Sequence, residues 1–200
     1  MRLHITPAVV CCLLAVGAGQ AQDKPPDRFS LPVVLHPQET ELWCWAATGQ
    51  MTMEFLGGGA ISQSEQVNRA LRRTDCGMWP TPRACIRGGN ITLKPYGFTY
   101  DESKKPLTEG ALAYQLYGLH KPVPFAWYFP GGGGHAALAV GYVRQADGTF
   151  LVECLDPYPP AFKDARSWAG GQRLFIPYRR WVSDYDHTFA LNYYNVTRLR

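Results

Sequence analysis

Residues 37–47 of this 200-residue chain read Pro37-Gln38-Glu39-Thr40-Glu41-Leu42-Trp43-Cys44-Trp45-Ala46-Ala47. Behind them, Trp45 to Leu56 contains no Pro and one Gly, and three glycines follow, so the pattern predicts a helix that begins near Cys44. The first turn of a helix presents free N–H groups and the positive end of the helix dipole, which favour an anion. Cys44 is therefore a candidate thiolate, although many cysteines in aromatic surroundings are inert core residues.

A base that could activate such a thiol is His135. It follows four glycines and opens the apolar run His135-Ala-Ala-Leu-Ala-Val-Gly-Tyr142, which is typical of a buried strand. The first residue of a buried strand is held rigidly, and glycines before it let a substrate backbone approach closely. The alternative is a structural histidine at a strand start. We expect the remaining histidines after the N-terminal segment, which are His36, His120 and His187, to lie at the surface.

An imidazole base needs an acceptor on its second nitrogen, and Asp156 is the candidate. It ends the next predicted strand, directly before Pro157. The turn Ala146-Asp147-Gly148 predicts a hairpin that would bring His135 and Asp156 side by side. The alternative is an ordinary Asp-Pro turn at the surface.

In combination these residues resemble the papain-like cysteine peptidases. That family has a Gln six residues before a Cys-Trp-Ala that opens its central helix, matched by Gln38, Cys44 and Trp45, and a His followed by apolar residues and Gly-Tyr, matched by His135. The resemblance implies an α+β fold with an N-terminal helical half and a C-terminal antiparallel sheet half. It also implies a Cys44-His135-Asp156 triad, with Gln38 and the Cys44 N–H forming an oxyanion hole, and no metal or organic cofactor.

The chain departs from papain itself in two features that bear on its substrate. Papain has Asn where this chain has Asp156, so the sequence is more similar to the bacterial branches, namely the bacteriocin-leader peptidases and the effector proteases of plant pathogens. His135 also follows Cys44 by fewer residues than the roughly 130–150 typical of papain. Two alternatives remain open: a thioester acyltransferase of transglutaminase type, and a catalytically silent papain-like module that binds a partner.

The N-terminus has the pattern of a secretory signal. Arg2 precedes a short apolar segment, and Gly19-Gln20-Ala21 offers a cleavage site, so we expect a signal peptide over residues 1–21. Residues 22–30 are interpreted as a flexible mature N-terminus and residues 31–200 as one peptidase domain. The apolar segment is too short for an ordinary membrane span, so we expect a secreted or periplasmic protein without stable membrane insertion.

Removal of that segment leaves Cys44, Cys76, Cys85 and Cys154. Four cysteines in an exported protein could form two disulfides. We favour one, Cys76–Cys85, because the pair brackets a short loop rich in Gly and Pro; the alternative is that both stay reduced. Cys44 then remains free, and Cys154 is expected to be a buried strand residue.

The remaining pattern predicts helices followed by strands. Ser62 and Glu65 form a capping box for a helix over residues 63–72, and Thr108 opens another that extends to Leu119. The predicted strands are 31–35 at a sheet edge, 123–129, 136–143, 149–155, 174–178 and 188–196. The net charge of +4 is small and scattered, which argues against nucleic acid as a partner. The expected partner is a protein or peptide substrate, and a protein inhibitor or immunity partner stays open.

Overall fold

The computed structural model describes residues 25–158 and 170–200. The predicted signal peptide and residues 22–24 lie outside the described residues. The helices and strands in chain order are β1 (Arg28–Ser30), α1 (Cys44–Phe55), α2 (Gln63–Leu71), β2 (Phe98–Ser103), α3 (Glu109–Ala113), β3 (Val123–Tyr128), β4 (Gly134–Arg144), β5 (Phe150–Asp156), β6 (Gln172–Pro177), α4 (Tyr178–Val182) and β7 (Thr188–Arg198). The two longest α-helices come before the main strands, and the predicted α+β class is confirmed.

One antiparallel sheet organises the C-terminal part of the chain. Its strand order is β2-β7-β3-β4-β5-β6, and β1 pairs with β4. The predicted turn closes the β4–β5 hairpin, where Gly148 has a φ of 84° and donates its N–H to the Gln145 carbonyl oxygen at 3.0 Å. Because β4 and β5 are antiparallel neighbours, the first residues of β4 lie beside the last residues of β5, at one end of the two strands. Within the described residues, no helix has the length and apolar character needed to cross a membrane.

Helix α1 packs against β4, and this contact joins the two halves. The tryptophans on either side of Cys44 anchor the start of the helix, since both are buried. Trp43 Nε1 donates to the Cys85 carbonyl oxygen at 2.9 Å, and Trp45 Nε1 donates to the Arg87 carbonyl oxygen at 3.2 Å. The predicted disulfide between Cys76 and Cys85 is present and holds the loop that supplies these acceptors.

The predicted edge strand over residues 31–35 is wrong. Strand β1 lies just before it, at Arg28–Ser30, and pairs with residues 141–143 of β4. The Leu31 N–H still donates to the Val140 carbonyl. Pro32 has no N–H to continue the ladder, and the Val33 N–H donates to the Leu31 carbonyl within the same segment. The segment interpreted as a flexible terminus over residues 22–30 therefore contributes a paired strand at its end.

The helix predicted from Thr108 to Leu119 changes its winding halfway. It is α-helical only to Ala113, and residues Tyr114–Gly118 form a π-helical turn. In the wider turn the buried Gln115 side chain forms two hydrogen bonds with Asn195 of β7: its Oε1 accepts from the Asn195 N–H at 2.9 Å, and its Nε2 donates to Asn195 Oδ1 at 2.8 Å. The sequence pattern within the helix does not show this contact with a distant strand.

Strand β6 begins two residues before the predicted start and ends at Pro177. The short helix α4 follows at once and was not predicted. Its Trp181 is fully buried and packs edge-on against Phe125 and Phe189 of the sheet. Helix α4 therefore covers the face of the sheet next to which the candidate site lies.

Candidate active site

Cys44 is the first residue of α1, as the sequence predicts. The turn before it contains Leu42 with a φ of 65°, an unusual conformation for a residue with a side chain. The Trp43 carbonyl accepts the first helical hydrogen bonds, from Ala46 and Ala47, both at 3.0 Å. The Cys44 N–H precedes these donors, so no carbonyl of the helix can pair with it.

His135 lies near the start of β4 and Asp156 is the last residue of β5, so the two residues lie at the same end of the hairpin. His135 Nε2 is 2.7 Å from Asp156 Oδ1, and each side chain is 11% exposed. The Tyr158 N–H donates to the same carboxylate oxygen at 2.8 Å, and Gln172 Nε2 donates to Oδ2 at 3.4 Å. Three donors thus hold the carboxylate. Because Nε2 of the imidazole is occupied, Nδ1 is the nitrogen left for another partner.

The imidazole of His135 also lies close enough to the Cys44 thiol for each group to shift the pKa of the other. Burial raises the pKa of the Cys44 thiol, but the His135 hydrogen bond and charge, with the N–H groups of Ala136 and Trp45, outweigh it and lower that pKa overall. Burial likewise lowers the pKa of His135, whereas Asp156 and Cys44 raise it to about 10. Both directions favour the same charge state, a thiolate beside an imidazolium.

Gln38 lies at the same site and is 1% exposed. Its backbone N–H donates to the Pro157 carbonyl at 2.9 Å, next to Asp156. Its side-chain Nε2 donates one hydrogen to the Thr40 carbonyl at 2.9 Å, which leaves the second hydrogen of the amide. Among the described residues, Gln38 Oε1 is buried without a hydrogen-bond partner. An unpaired buried acceptor costs about 1–3 kcal/mol, so this side chain is not optimised for stability.

A residue that the sequence analysis missed fixes the Gln38 segment. Gln63, the buried first residue of α2, donates from Nε2 to the Pro37 carbonyl at 2.8 Å. Its Oε1 accepts from the Glu39 N–H at 2.9 Å. One amide thus brackets Gln38 on both sides. The capping box locates the start of α2, but no local pattern shows what Gln63 contacts.

These side chains open into a cleft of about 820 Å³. Tryptophan, leucine, isoleucine and tyrosine side chains are prominent in its lining. Besides Cys44 and His135, the cleft is lined by Gln38, Leu42, Trp45, Gly88, Gly89, Asn90, Ile91, Ala126, Trp127, Tyr128, Phe129, Gly134, Ala136, Asp156, Tyr158, Leu174, Phe175, Ile176, Pro177, Arg180, Asp184, Asp186, His187, Ala190, Leu191 and Tyr193. Such a cleft is large enough for several residues of a peptide.

Of the three histidines expected at the surface, His187 is the exception. It is 7% exposed, its ring centroid is 4.2 Å from that of Trp127, and it lines the cleft. His36 lies 2.6 Å from Glu54 in a half-exposed pair outside this cleft. Neither these two nor His120 meets Cys44, whose imidazole partner is His135.

Cys154 is a fully buried residue of β5, as predicted, and is a free thiol. Burial raises its pKa well above the ordinary value, so it contrasts with Cys44 in reactivity. Among the described residues, only Asp75, Cys76 and Cys85 are grouped closely enough for a metal ion. The two cysteines are joined in the disulfide and offer no thiolate.

Comparison with known proteins finds one matching family model and several similar solved structures. The family model described as "Papain-like cysteine protease AvrRpt2" matches residues 27–167. No curated protein matches the chain. Among solved structures, bromelain from Ananas comosus in complex with E64 is 12% identical with a TM-score of 0.45, over 88% of this chain and 100% of that one.

Two further solved structures match a similar share of this chain. A double glycine motif protease from an AMS/PCAT transporter, in complex with the leader peptide, is 17% identical with a TM-score of 0.42, over 82% of this chain and 93% of that one. The proform of Amb a 11, a ragweed pollen cysteine protease, is 14% identical with a TM-score of 0.49, over 88% and 66%. The family model matches most of this chain by sequence, over residues 27–167. The chain therefore belongs to the AvrRpt2 family of papain-like cysteine proteases and is a cysteine-type peptidase.

Proposed function

We propose that this chain is an exported peptidase that hydrolyses peptide bonds through a Cys44-His135-Asp156 triad, with Gln38 in the oxyanion hole. The observation that carries the proposal is that Cys44, His135 and Asp156 line one cleft, with His135 Nε2 2.7 Å from Asp156 Oδ1 and the His135 imidazole close enough to Cys44 to lower the pKa of its thiol. Thiol catalysis requires this arrangement, in which a base contacts the nucleophile and an acceptor orients the base.

The first half of the reaction follows from the charge state of the pair. The Cys44 thiolate attacks the carbonyl carbon of the scissile bond and forms a C–S bond, while the carbonyl oxygen becomes an oxyanion. The Cys44 N–H and the second amide hydrogen of Gln38 are the donors assigned to that oxygen, each worth about 3–4 kcal/mol in the transition state. The His135 imidazolium then gives its proton to the leaving nitrogen as the C–N bond breaks.

The second half returns the enzyme to its starting state. His135, now neutral, takes a proton from water, and the resulting hydroxide attacks the thioester. The C–S bond breaks, the acid product leaves, and the proton restores the imidazolium beside the thiolate. Asp156 keeps Nε2 of the ring occupied throughout, so that the same nitrogen faces the sulfur in each step.

The test is hydrolysis of a protein or peptide substrate by the purified chain. We expect Cys44→Ala and His135→Ala each to abolish cleavage, and the buried Cys154→Ala to retain it. Cleavage that survives Cys44→Ala would contradict the proposal. A product in which an added amine replaces water at the new carboxyl end, without hydrolysis, would instead favour the acyltransferase alternative, and a silent module would leave every substrate intact.

Export is the remaining part of the proposal. The signal-peptide pattern of residues 1–21 and the disulfide at Cys76–Cys85 support it, since disulfides persist mainly in oxidising compartments. N-terminal sequencing of the protein recovered from outside the cytoplasm is expected to begin at Gln22. Retention of the chain in the cytoplasm with Met1 at its start would contradict export without affecting the triad.

A further inference from the structure

The turn that carries Cys44 is held from behind by a loop segment that follows α2. The two tryptophans next to Cys44, Trp43 and Trp45, are 1% and 3% exposed. Their indole N–H groups donate to the carbonyls of Cys85 and Arg87, at 2.9 and 3.2 Å. A buried donor that loses its acceptor is costly, so these two bonds fix where the indoles lie on either side of the nucleophile.

The Cys76–Cys85 disulfide holds this loop segment in place. Cys76 is fixed to α2, because its N–H donates to Asn68 Oδ1 at 2.9 Å. Within the described part of the chain, the two indole bonds are the hydrogen bonds that join residues 79–89 to anything before residue 75. Most of residues 77–84 are exposed, so packing restrains them little. If the S–S bond opens, the segment loses its covalent link to α2 and the indoles lose their fixed acceptors.

The same segment continues into the wall of the cleft. Residues 88–91 line the cleft directly after the carbonyl that Trp45 binds. A Cβ added to Gly89 would lie 2.6 Å from a ring carbon of Trp45, so the wall and the indole are in close contact. A movement of this segment therefore displaces the Cys44 turn and the cleft wall together. A displacement of about 1 Å at a catalytic site can lower the rate roughly a hundredfold.

We infer that the Cys76–Cys85 disulfide positions Cys44 for catalysis, so that the peptidase works only in its oxidised form. The reduced chain, as it exists before export, is then folded and slow. This inference rests on the proposed function, because that function makes Cys44 the nucleophile and places the chain outside the cytoplasm. The two cysteines of the disulfide act through Trp43 and Trp45 and do not touch the reacting atoms, so they are positioning residues.

Reduction by a dithiol opens the disulfide in two exchange steps. A thiolate of the dithiol attacks one sulfur, the S–S bond breaks, and the other cysteine leaves as a thiolate that takes a proton. The second thiolate of the dithiol then displaces the first cysteine and closes a ring disulfide. Two electrons pass from the dithiol to the protein, and Cys44 is not consumed. Because Cys76 and Cys85 are 1% and 0% exposed, this reaction is slower than reduction of an exposed disulfide.

The first experiment reduces the parent chain. Samples are kept in a dilute monothiol, so that Cys44 stays reduced, and are titrated with dithiothreitol while free thiols are counted by mass spectrometry. We expect kcat/KM for one peptide substrate to fall about tenfold to a hundredfold as the disulfide opens, and to recover on reoxidation. The double variant Cys76→Ala/Cys85→Ala controls for direct effects of the reagent, because its kcat/KM is low from the start and does not respond to dithiothreitol.

Two single variants separate positioning from stability. Trp43→Phe keeps the disulfide but removes the donor to the Cys85 carbonyl, and we expect it to lower kcat/KM at least about threefold. Val123→Ala is the matched control, because Val123 is fully buried in the other apolar cluster and does not line the cleft. It should lower the free energy of unfolding and leave kcat/KM unchanged.

The alkylation rate of Cys44 at mildly acidic pH reports on the nucleophile itself. It should fall at least about threefold in the reduced parent chain and in Trp43→Phe, because the thiol no longer lies in its place at the helix start. In Val123→Ala it should equal that of the parent, since instability elsewhere does not move the thiol.

Three results would overturn the inference while leaving the peptidase intact: cleavage at an unchanged rate after the disulfide opens, a Trp43→Phe variant with the kcat/KM of the parent, or an equal loss of kcat/KM in Val123→Ala. A reduced chain that is unfolded by circular dichroism would overturn it as well. An oxidised parent chain that cleaves no substrate would instead overturn the proposed function.

Discussion

Replacing Asp156 by Asn tests what the carboxylate charge contributes to the triad. Asparagine has the same shape, and its Oδ1 can still accept from His135 Nε2, which lies 2.7 Å from the carboxylate oxygen. The Tyr158 N–H can keep the same acceptor. The substitution therefore removes the negative charge and leaves most of the hydrogen-bond geometry in place.

The size of the effect follows from the causes of the His135 pKa. The hydrogen bond and charge of Asp156 raise it, and together with Cys44 they bring it to about 10. A neighbouring opposite charge is worth roughly 1–3 pKa units, or about 1.4–4 kcal/mol of preference for imidazolium. Because the pKa of His135 is raised, the imidazolium persists up to about pH 10 and is lost above it. Asp156→Asn is therefore expected to lower the alkaline limit of activity by the same roughly 1–3 pH units.

The assay is kcat/KM against pH for one peptide substrate. We expect the alkaline limb to shift to lower pH by roughly 1–3 units from about 10, so that kcat/KM falls about 2- to 100-fold at pH 9 and at most about twofold near neutrality, because less of the enzyme holds the imidazolium. Glu54→Gln is the matched control, since Glu54 Oε2 lies 2.6 Å from His36 Nε2 outside the cleft. An alkaline limb that stays in place in Asp156→Asn would refute the reasoning.

Three further outcomes are expected. Gln38→Ala should lower kcat about 10²–10³-fold and lower the free energy of unfolding by about 1–3 kcal/mol, because the Thr40 carbonyl loses its buried donor; an unchanged kcat would contradict this. Gln63→Leu should lower kcat less than Gln38→Ala does, and the double variant should have nearly the kcat of Gln38→Ala. Additive losses in kcat would show that Gln63 acts independently of Gln38. Replacing both Cys76 and Cys85 by Ala should lower the free energy of unfolding by about 2–3 kcal/mol, from the short loop that they close; a midpoint in urea equal to that of the parent chain would contradict it.

The parts of the site that the sequence predicted are those whose signal is local. Cys44 begins a Pro-free segment that ends in glycines, and His135 stands where a glycine run meets an apolar run. Asp156 could be placed beside His135 because a two-strand hairpin with a recognisable turn fixes which ends meet. Local pattern and short-range topology were sufficient for these three positions.

The parts that were missed depend on contacts between distant segments. His187 is buried because α4 and the start of β7 pack over Trp127, and nothing in its polar neighbourhood signals that contact. Gln63 resembles an ordinary residue at the start of a helix until its amide is seen to bracket Gln38. Helix α4 itself was missed because Pro177 and Tyr178 read as the end of a strand.

The account depends most on the ion pair between Cys44 and His135, and thiol alkylation measures it directly. The parent chain is treated with iodoacetamide at about pH 5.5, roughly three units below the pKa of an ordinary thiol, and the labelled cysteines are mapped by mass spectrometry. The account predicts that Cys44 is labelled at least about a hundredfold faster than a free cysteine, that Cys154 stays unlabelled, and that His135→Ala removes the advantage. Labelling of Cys44 at the rate of a free cysteine, or an equal rate in His135→Ala, would contradict it.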